Sequence, residues 1–83
     1  MYFTYILYSR STDTYYKGHT NNIENRLKRH NTGSVTYTSK GMPWELILAI
    51  PKETKSNAME LERKLKNLNR KRLEEFIIKY KSS

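Results

Sequence analysis

Two side chains able to meet a phosphate, Arg26 and His30, stand four residues apart in a segment whose apolar residues recur at helical spacing. On a helical wheel at about 100° per residue, both fall on the side that carries Ile23 and Leu27. A charge on the apolar side of a short helix is costly unless an anion meets it, and helical neighbours four apart can act on one group. In the alternative interpretation, the stem of Arg26 only covers the core, and His30 only favours the helix dipole.

A carboxylate is the second candidate for chemistry. Two glutamates lie near a later apolar stripe, and one of them is closer to the buried face of the helix than the other. The stripe consists of Ala58, Leu61, Leu65 and Leu68. Glu62 lies about 80° from its centre, at the edge of the buried face, whereas Glu60 lies about 120° away toward solvent. One carboxylate together with phosphate oxygens suits Mg²⁺, which keeps most of its waters. Alternatively, Glu62 forms only an ion pair with Lys66, four residues on.

Seven tyrosines supply hydroxyl groups, and two of them occupy the middle of neighbouring predicted strands. If the hairpin register pairs Tyr5 with Tyr16, their hydroxyls could face one pocket. Periodicity alone does not select these two over Tyr2, Tyr8 or Tyr15. Ordinary sheet packing, with the hydroxyl at the edge, is the alternative for any one of them.

Local patterns predict the elements that must hold these residues, in the order β-β-α-β-α-α. The strands are predicted at residues 2–8, 14–17 and 44–50, and the helices at 21–30, at 57–68 and after residue 69. The third strand is largely apolar, so we expect it to be central or covered on both faces, with Pro51 ending it. The order predicts an α+β fold, a small three-stranded antiparallel sheet flanked by three helices, as a single domain over residues 1–83.

Polar residues mark where the helices begin and where the longest loop runs. The candidate capping residues are Thr20, Asn21 or Asn22 for the first helix, Ser56 for the second and Asn69 for the third. Residues 31–43, which include two glycines and Pro43, are predicted to form a polar loop.

The charge balance favours a polyanionic partner. Lys and Arg total 16 against eight Asp and Glu, which gives a net charge of +8 and a pI near 9.8. Such a balance is typical of nucleic-acid-binding proteins, although a merely soluble basic surface is the alternative. The absence of cysteine excludes a disulfide framework and a thiolate metal site. The sequence also lacks a Walker loop, a dinucleotide glycine pattern, a zinc-protease motif and a serine elbow.

The start of the chain and its hydropathy point away from membranes. Residues 1–8 alternate like a strand and lack the basic leader and the cleavage site of a signal peptide. No apolar run approaches the ~20 residues needed to span a bilayer. We therefore expect a cytoplasmic protein with no membrane partner, and the sequence leaves its oligomeric state open.

These residues together resemble the catalytic domain of the GIY-YIG nuclease superfamily, particularly its small single-domain bacterial members, over nearly the whole chain. Phe3-Thr4-Tyr5 and Tyr16-Lys17-Gly18 stand at the two tripeptides, although Phe3 and Lys17 depart from the usual glycine and isoleucine. Arg26 occupies the arginine position, ten residues beyond Tyr16, and His30 follows as in many members. Glu62 ends a segment similar to the one that carries the metal-binding glutamate. Similar domains form the N-terminal part of the excision-repair nuclease subunit and of intron homing endonucleases.

The resemblance implies a metal-dependent endonuclease that hydrolyses DNA phosphodiester bonds, with Glu62 holding Mg²⁺ or Mn²⁺. Tyr5 would act as general base or orient the water, with Tyr16 as its partner. A phenol with an unperturbed pKa near 10 needs help in that role at neutral pH. Arg26 would meet the phosphate, and His30 would orient the water or contact the phosphate.

Several basic side chains would follow the nucleic-acid backbone without reading its sequence. They are Lys17, His19, Lys28, Arg29 and Lys40. Selection would then come from DNA structure or from a partner protein, in a role such as repair or recombination, and these residues do not separate DNA from RNA. The alternative is a nucleic-acid-binding module that keeps the fold with little or no catalysis. The presence of a carboxylate beside the phosphate-binding residues favours the enzyme.

Overall fold

The computed structural model describes residues 1–82, and Ser83, the last residue of the predicted domain, lies outside that range. Its strands are β1 (Tyr2–Ser9), β2 (Thr14–Thr20) and β3 (Trp44–Lys52). Its helices are α1 (Ile23–Asn31), α2 (Lys55–Lys66) and α3 (Arg70–Ser82), with a short 3₁₀ helix at Thr36–Gly41. The predicted α+β class and element order are confirmed, and the 3₁₀ helix is an addition within the polar loop.

The sheet is antiparallel in the order β2-β1-β3, so β1 is the central strand. Residues 4–7 of β1 are all buried, whereas Leu46 in β3 is exposed. The expectation of a central third strand was therefore wrong, because an apolar run does not by itself distinguish a central strand from an edge strand. Strand β3 also continues through Pro51 to Lys52, which an edge strand tolerates because its outer N–H groups need no partner.

Alternating side chains along β1 divide the core into two clusters, one on each face of the sheet. On one face, Ile6 packs with residues of β3, α2 and α3, namely Leu48, Ile50, Leu65, Leu73 and Ile77. On the other face, residues of α1 and β2 cover a second cluster, formed by Tyr5, Leu7 and Trp44. Helices α1 and α2 therefore lie on opposite faces, so a site that combines them must reach around a strand.

Side-chain caps begin all three α-helices. The Asn25 N–H donates to Oδ1 of Asn22 at 3.0 Å, which selects Asn22 among the three predicted caps of α1. Asn69 caps α3 as predicted. Helix α2 begins earlier than expected, because Oγ1 of Thr54 accepts the Asn57 N–H at 3.1 Å, and the prediction of Ser56 as its cap was wrong. Both are good capping residues, so propensity could not separate them.

The loop after α1 is held against the sheet by polar contacts of one asparagine and the single tryptophan. Asn31 accepts the backbone N–H of Trp44 and donates to its carbonyl at 3.0 Å. The indole N–H of Trp44 donates to the Thr38 carbonyl at 2.8 Å. These contacts fix the 3₁₀ helix beside α1 and bury Thr38 at the point where the candidate site lies.

Candidate active site

The two candidate tyrosines lie on the same face of the sheet but are not cross-strand partners. Tyr5 pairs with Gly18, and Tyr16 pairs with Leu7. The register therefore does not pair Tyr5 directly with Tyr16, yet the diagonal arrangement still places the two ring centroids 6.2 Å apart. Gly18 makes room for Tyr5, because a Cβ on Gly18 would lie 2.6 Å from the Tyr5 hydroxyl oxygen. A side chain at that position would displace the phenol.

Helix α1 turns its predicted face toward these tyrosines. His30 is fully buried and Arg26 half-buried, whereas Lys28 and Arg29 are exposed. The wheel therefore identified the inward face of α1 correctly. The His30 ring centroid lies 4.9 Å from that of Tyr16 and 6.0 Å from that of Tyr5.

A chain of buried hydrogen bonds joins Tyr5 to the loop through His30. The Tyr5 hydroxyl lies 3.1 Å from Nε2 of His30, and Nδ1 of His30 lies 2.7 Å from Oγ1 of Thr38. The Thr38 hydroxyl donates its only proton to the Val35 carbonyl, so it accepts a hydrogen bond from His30. That contact assigns the proton to Nδ1 and leaves the Nε2 lone pair facing the hydroxyl of Tyr5.

The protonation states of Tyr5 and His30 in this chain of hydrogen bonds follow mainly from their burial. Burial, the neighbouring Tyr16 and the negative charge of Glu62 raise the pKa of Tyr5 to about 12, against the opposing positive charge of Arg26. Burial, together with the charges of Arg26 and Arg29, lowers the pKa of His30 below its ordinary value. At neutral pH the phenol is therefore protonated and the imidazole is neutral, so Tyr5 has an acceptor for its proton within hydrogen-bond distance.

Glu62 approaches from α2, on the other face of the sheet. Its side chain is 16% exposed, whereas that of Glu60 is 65% exposed, as the helical wheel predicts. Oε1 of Glu62 accepts from Nδ1 of His19 at 2.6 Å, and Oε2 accepts from Nζ of Lys66 at 2.7 Å. Burial alone would raise the pKa of Glu62, but the hydrogen bonds from Lys66 and His19 outweigh it and lower that pKa. Glu62 is therefore ionised.

The five predicted catalytic residues do not share one face of the sheet: four lie on the α1 side of the edge strand β2, and Glu62 lies on the other side. Tyr5 reaches β2 at Gly18 on one face. Glu62 binds His19, the next residue of the strand, from the other face. The negative charge of Glu62 contributes to the raised pKa of Tyr5, so the two parts are coupled electrostatically. Sequence periodicity assigned the helix faces, but it could not place the two helices on opposite sides.

The predicted phosphate contacts divide between the site and the outer surface. Lys17 lines a cavity of about 480 Å³ beside the site, which we call the tyrosine-lysine cavity and which is formed by Tyr15, Tyr16, Lys17, Tyr37 and Lys66. Lys40 lines an adjoining cavity of about 350 Å³ that also contains Tyr16 and Tyr37. Lys28 borders a separate shallow cavity with Glu24. His19 is engaged with Glu62 rather than pointing free to solvent.

Two residues of the site were not predicted from the sequence. Thr38 and Tyr37 belong to the 3₁₀ helix, within the segment predicted as a polar loop. Thr38 is buried as the partner of His30, while Tyr37 is 87% exposed and its ring centroid lies 6.3 Å from that of Tyr16. No periodicity marks a threonine in such a loop, so its role depends on a contact that only folding creates.

Comparisons with known proteins show the family of this chain. The family model of the GIY-YIG catalytic domain matches residues 1–79. The chain belongs to the GIY-YIG family. A UPF0213 protein of Bacillus cereus is 41% identical over 70 residues, which cover 83% of this chain and 73% of the relative. A UPF0213 protein of Bacillus licheniformis is 42% identical over 77 residues, which cover 92% of this chain and 78% of the relative.

A solved structure shares the fold. The solution NMR structure of a UPF0213 protein from Bacillus halodurans matches with a TM-score of 0.59 at 29% identity, over 93% of this chain and 83% of that one. This GIY-YIG chain therefore carries a nuclease domain, of a family whose members are generally dependent on a divalent metal. Within residues 1–82, no helix of the GIY-YIG domain is long and apolar enough to cross a membrane.

The donor set of the GIY-YIG site fits a hard divalent ion that takes few protein ligands. Within residues 1–82, no group of three or more His, Cys, Asp or Glu side chains is arranged to hold a metal. Glu62 is ionised and half-buried, and Mg²⁺ is commonly held by one or two carboxylates together with substrate phosphates. Mn²⁺ prefers the same oxygen ligands as Mg²⁺, so the carboxylate of Glu62 suits either ion.

Proposed function

We propose that this GIY-YIG protein is a divalent-metal-dependent endonuclease that hydrolyses DNA phosphodiester bonds. The hydrogen-bonded chain of Tyr5, His30 and Thr38, set beside Arg26, is the observation that supports it. A phenol with a pKa of about 12 is a poor base alone, but here it has a neutral imidazole as acceptor. A protonated phenol can take a proton from water only if it gives up its own, and the imidazole is placed to receive that proton.

In the proposed reaction, Tyr5 orients a water against the phosphorus and removes its proton. As it does so, the Tyr5 proton passes to Nε2 of His30, which becomes a cation and later returns that proton to Tyr5 as the Tyr5 hydroxyl gives one up to solvent. Thr38 holds the imidazole in the required tautomer by accepting from Nδ1. The hydroxide forms the new bond to phosphorus while the bond to the leaving oxygen breaks, and that oxygen takes up a proton from solvent. Tyr16 packs against both rings and limits their movement.

The negative charge of the phosphate is met from two sides. Arg26 supplies a fixed cation on the face of α1, beside Tyr5. Glu62 would hold Mg²⁺ or Mn²⁺, which would supply further stabilisation of charge on the phosphate and on the leaving oxygen. Lys17 and Lys40 line cavities next to Tyr16 and would bind neighbouring phosphates without reading bases.

A second candidate function is a nucleic-acid-binding module with little or no catalysis. Two observations favour it. Both carboxylate oxygens of Glu62 are hydrogen-bonded within the protein, and the pKa of Tyr5 is about 12. Binding alone requires only the basic surface, so the two candidates differ in whether Tyr5 matters beyond packing.

The test is to incubate labelled linear, flapped and branched DNAs with the protein in Mg²⁺, Mn²⁺ or EDTA. We expect cleavage of at least one substrate with metal, none in EDTA, and a loss of about a hundredfold or more in Tyr5→Phe. Tyr2→Phe removes a hydroxyl from the same strand and serves as the matched control. Cleavage that survives in Tyr5→Phe would refute the proposed base. DNA binding without cleavage of any substrate would support the second candidate.

A further inference from the structure

The carboxylate assigned to the metal already has a cation on it. Nζ of Lys66 lies 2.7 Å from Oε2 of Glu62, and Nδ1 of His19 lies 2.6 Å from Oε1. The Lys66 side chain is 54% exposed and that of Glu62 is 16% exposed. The ammonium therefore approaches from the solvent side, which is the side from which an ion would enter.

Lys66 also borders both spaces around β2. It lines the tyrosine-lysine cavity with Tyr16 and Lys17. It also lines a groove of about 200 Å³ that contains Glu62 and His19. Lys66 has a flexible four-carbon stem, and its side chain is about half exposed. Its ammonium can therefore move from the groove to the cavity by side-chain rotation, without any backbone change.

We propose that Lys66 is the resident counter-cation of Glu62, and that a divalent ion competes with it for Oε2. A dication and an ammonium on one carboxylate repel each other, so binding of one displaces the other. The displaced ammonium then turns toward the tyrosine-lysine cavity, where it meets a phosphate of the substrate. This inference rests on the proposed function, because it takes Glu62 as the metal ligand.

The surroundings of Lys17 explain why the exchange would depend on substrate. Lys17 lines the same cavity, and burial together with the charge of Lys66 already lowers the pKa of Lys17. A second ammonium entering that cavity meets repulsion from Lys17 unless an anion accompanies it. Metal at Glu62 and phosphate in the cavity should therefore favour each other's binding, with Lys66 moving between them.

The test measures Mn²⁺ binding without nucleic acid, from the electron paramagnetic resonance signal of the free ion. Lys66→Gln should bind Mn²⁺ about three- to fivefold more tightly than the unmodified protein, the size expected for losing one half-exposed ion pair. Lys64→Gln removes the same charge from the same helix, but Lys64 pairs with the exposed Glu60 at 4.0 Å. It should stay within about twofold of the unmodified protein.

Two further variants separate the possible failures. Glu62→Gln should lose Mn²⁺ binding; if it does not, or if the unmodified protein binds no Mn²⁺, the metal assignment of the proposed function fails and this inference with it. If Glu62→Gln loses binding but Lys66→Gln binds no more tightly, only the counter-cation role fails. Lys66→Arg keeps a cation and should stay close to the unmodified protein. Equal tightening in Lys66→Arg and Lys66→Gln would also overturn that role.

The transfer to phosphate has its own measurement. In a Tyr5→Phe background, which keeps DNA intact under the proposed mechanism, Mn²⁺ affinity is compared with and without a short DNA oligonucleotide. We expect the oligonucleotide to tighten Mn²⁺ binding by a larger factor when Lys66 is present than in Lys66→Gln. Equal factors in the two proteins would show that Lys66 does not move to the phosphate.

Discussion

At the scale of single residues, burial sets which groups carry charge and which keep a proton. His30 is enclosed by Tyr5, Tyr16 and Thr38, so desolvation keeps its imidazole neutral. Glu62 is also partly enclosed, but two hydrogen bonds keep it ionised. Burial thus produces a neutral proton acceptor on one face of β2, while hydrogen bonds that outweigh burial keep a fixed anion on the other.

The two glutamates of α2 provide a matched test at this scale. We predict that Glu62→Gln lowers metal-dependent cleavage by about a hundredfold or more while DNA binding is largely kept, because affinity comes mainly from Lys and Arg contacts. Glu60→Gln should change cleavage very little, since Glu60 is exposed and its ion pair with Lys64 is long, at 4.0 Å. Initial cleavage rates and gel-shift titrations measure both effects. Cleavage lost in Glu60→Gln and kept in Glu62→Gln would refute the assignment.

His30 should make both stability and cleavage depend on pH. Because the pKa of His30 is lowered in the folded protein, the unfolded chain takes up a proton on it at a higher pH. The contribution of His30 to the unfolding free energy is thus constant above about pH 6.5, falls as pH drops below that value, and levels off below the lowered pKa. Cleavage should fall only at the acidic end of this range, around the lowered pKa of His30 in the folded protein, because a protonated Nε2 cannot accept from Tyr5.

Urea unfolding followed by the fluorescence of Trp44, repeated from about pH 7.5 to pH 5, measures the stability effect. In His30→Gln the acidic decline should be smaller than in the unmodified protein. An equal decline in both proteins would show that His30 is not the group responsible.

At the scale of elements, the edge strand β2 joins the two halves of the site. Its residues alternate between the faces, so Tyr16 and Gly18 meet Tyr5 while His19 meets Glu62. Strand order makes this possible, because β2 is at the edge and both faces can be reached around it. A central β2 would have separated the two halves.

A methyl group at Gly18 should disturb the site more than it disturbs the fold. In Gly18→Ala the new Cβ would lie 2.6 Å from the Tyr5 oxygen, so the phenol must leave His30. We expect a stability loss of about 1–3 kcal/mol and loss of most cleavage. In the control, Gly33→Ala, stability should also fall by about 1–2 kcal/mol, because Gly33 has a φ of +79°.

Cleavage should nevertheless survive in Gly33→Ala, since the nearest side-chain atom to its Cβ is 3.7 Å away, on Met42. Unfolding curves and cleavage rates of the two variants separate the effects. Similar loss of cleavage in both would attribute the effect to general destabilisation rather than to Tyr5.

The start of α2 offers a test that distinguishes local propensity from the observed cap. Thr54→Ala removes the acceptor of the Asn57 N–H and should cost about 1 kcal/mol of unfolding free energy. Ser56→Ala lies inside the helix at an exposed position and should change stability by less than about 0.5 kcal/mol. Urea unfolding of the two variants compares them directly. The opposite ranking would place the helix start near Ser56.

At the scale of the whole molecule, a net charge of +8 surrounds a small core divided by the sheet. The described strands and helices are all committed to that core or to the site, which leaves none free to enter a major groove. Contacts should therefore be made to phosphates, and selection should come from DNA shape or from a partner protein.

We predict weak DNA binding that depends strongly on salt and little on sequence. Neutralising four phosphates would give a log–log salt slope near −3.6, from about −0.9 per contact. Titrations at several salt concentrations, on unrelated duplexes of equal length, measure both properties. A flat response to salt, or a strong preference for one linear sequence, would contradict this description.

What the sequence by itself determined is local. Residues three and four apart share a helix face, so periodicity placed Arg26 and His30 inward on α1 and Glu60 outward on α2. Capping polar groups act over two or three residues, and for that reason Asn69 was predicted and Asn22 was one of three candidates. Net charge is a sum over composition and needs no fold at all.

What only the tertiary structure decided depends on contacts between distant parts of the chain. Strand order put β1 in the centre, and the register placed Gly18 rather than Tyr16 opposite Tyr5. The contact of Tyr5 with His30 spans 25 residues and that of His19 with Glu62 spans 43. Such pairings depend on how two sets of helices pack on opposite faces of one sheet, and no local pattern encodes that packing.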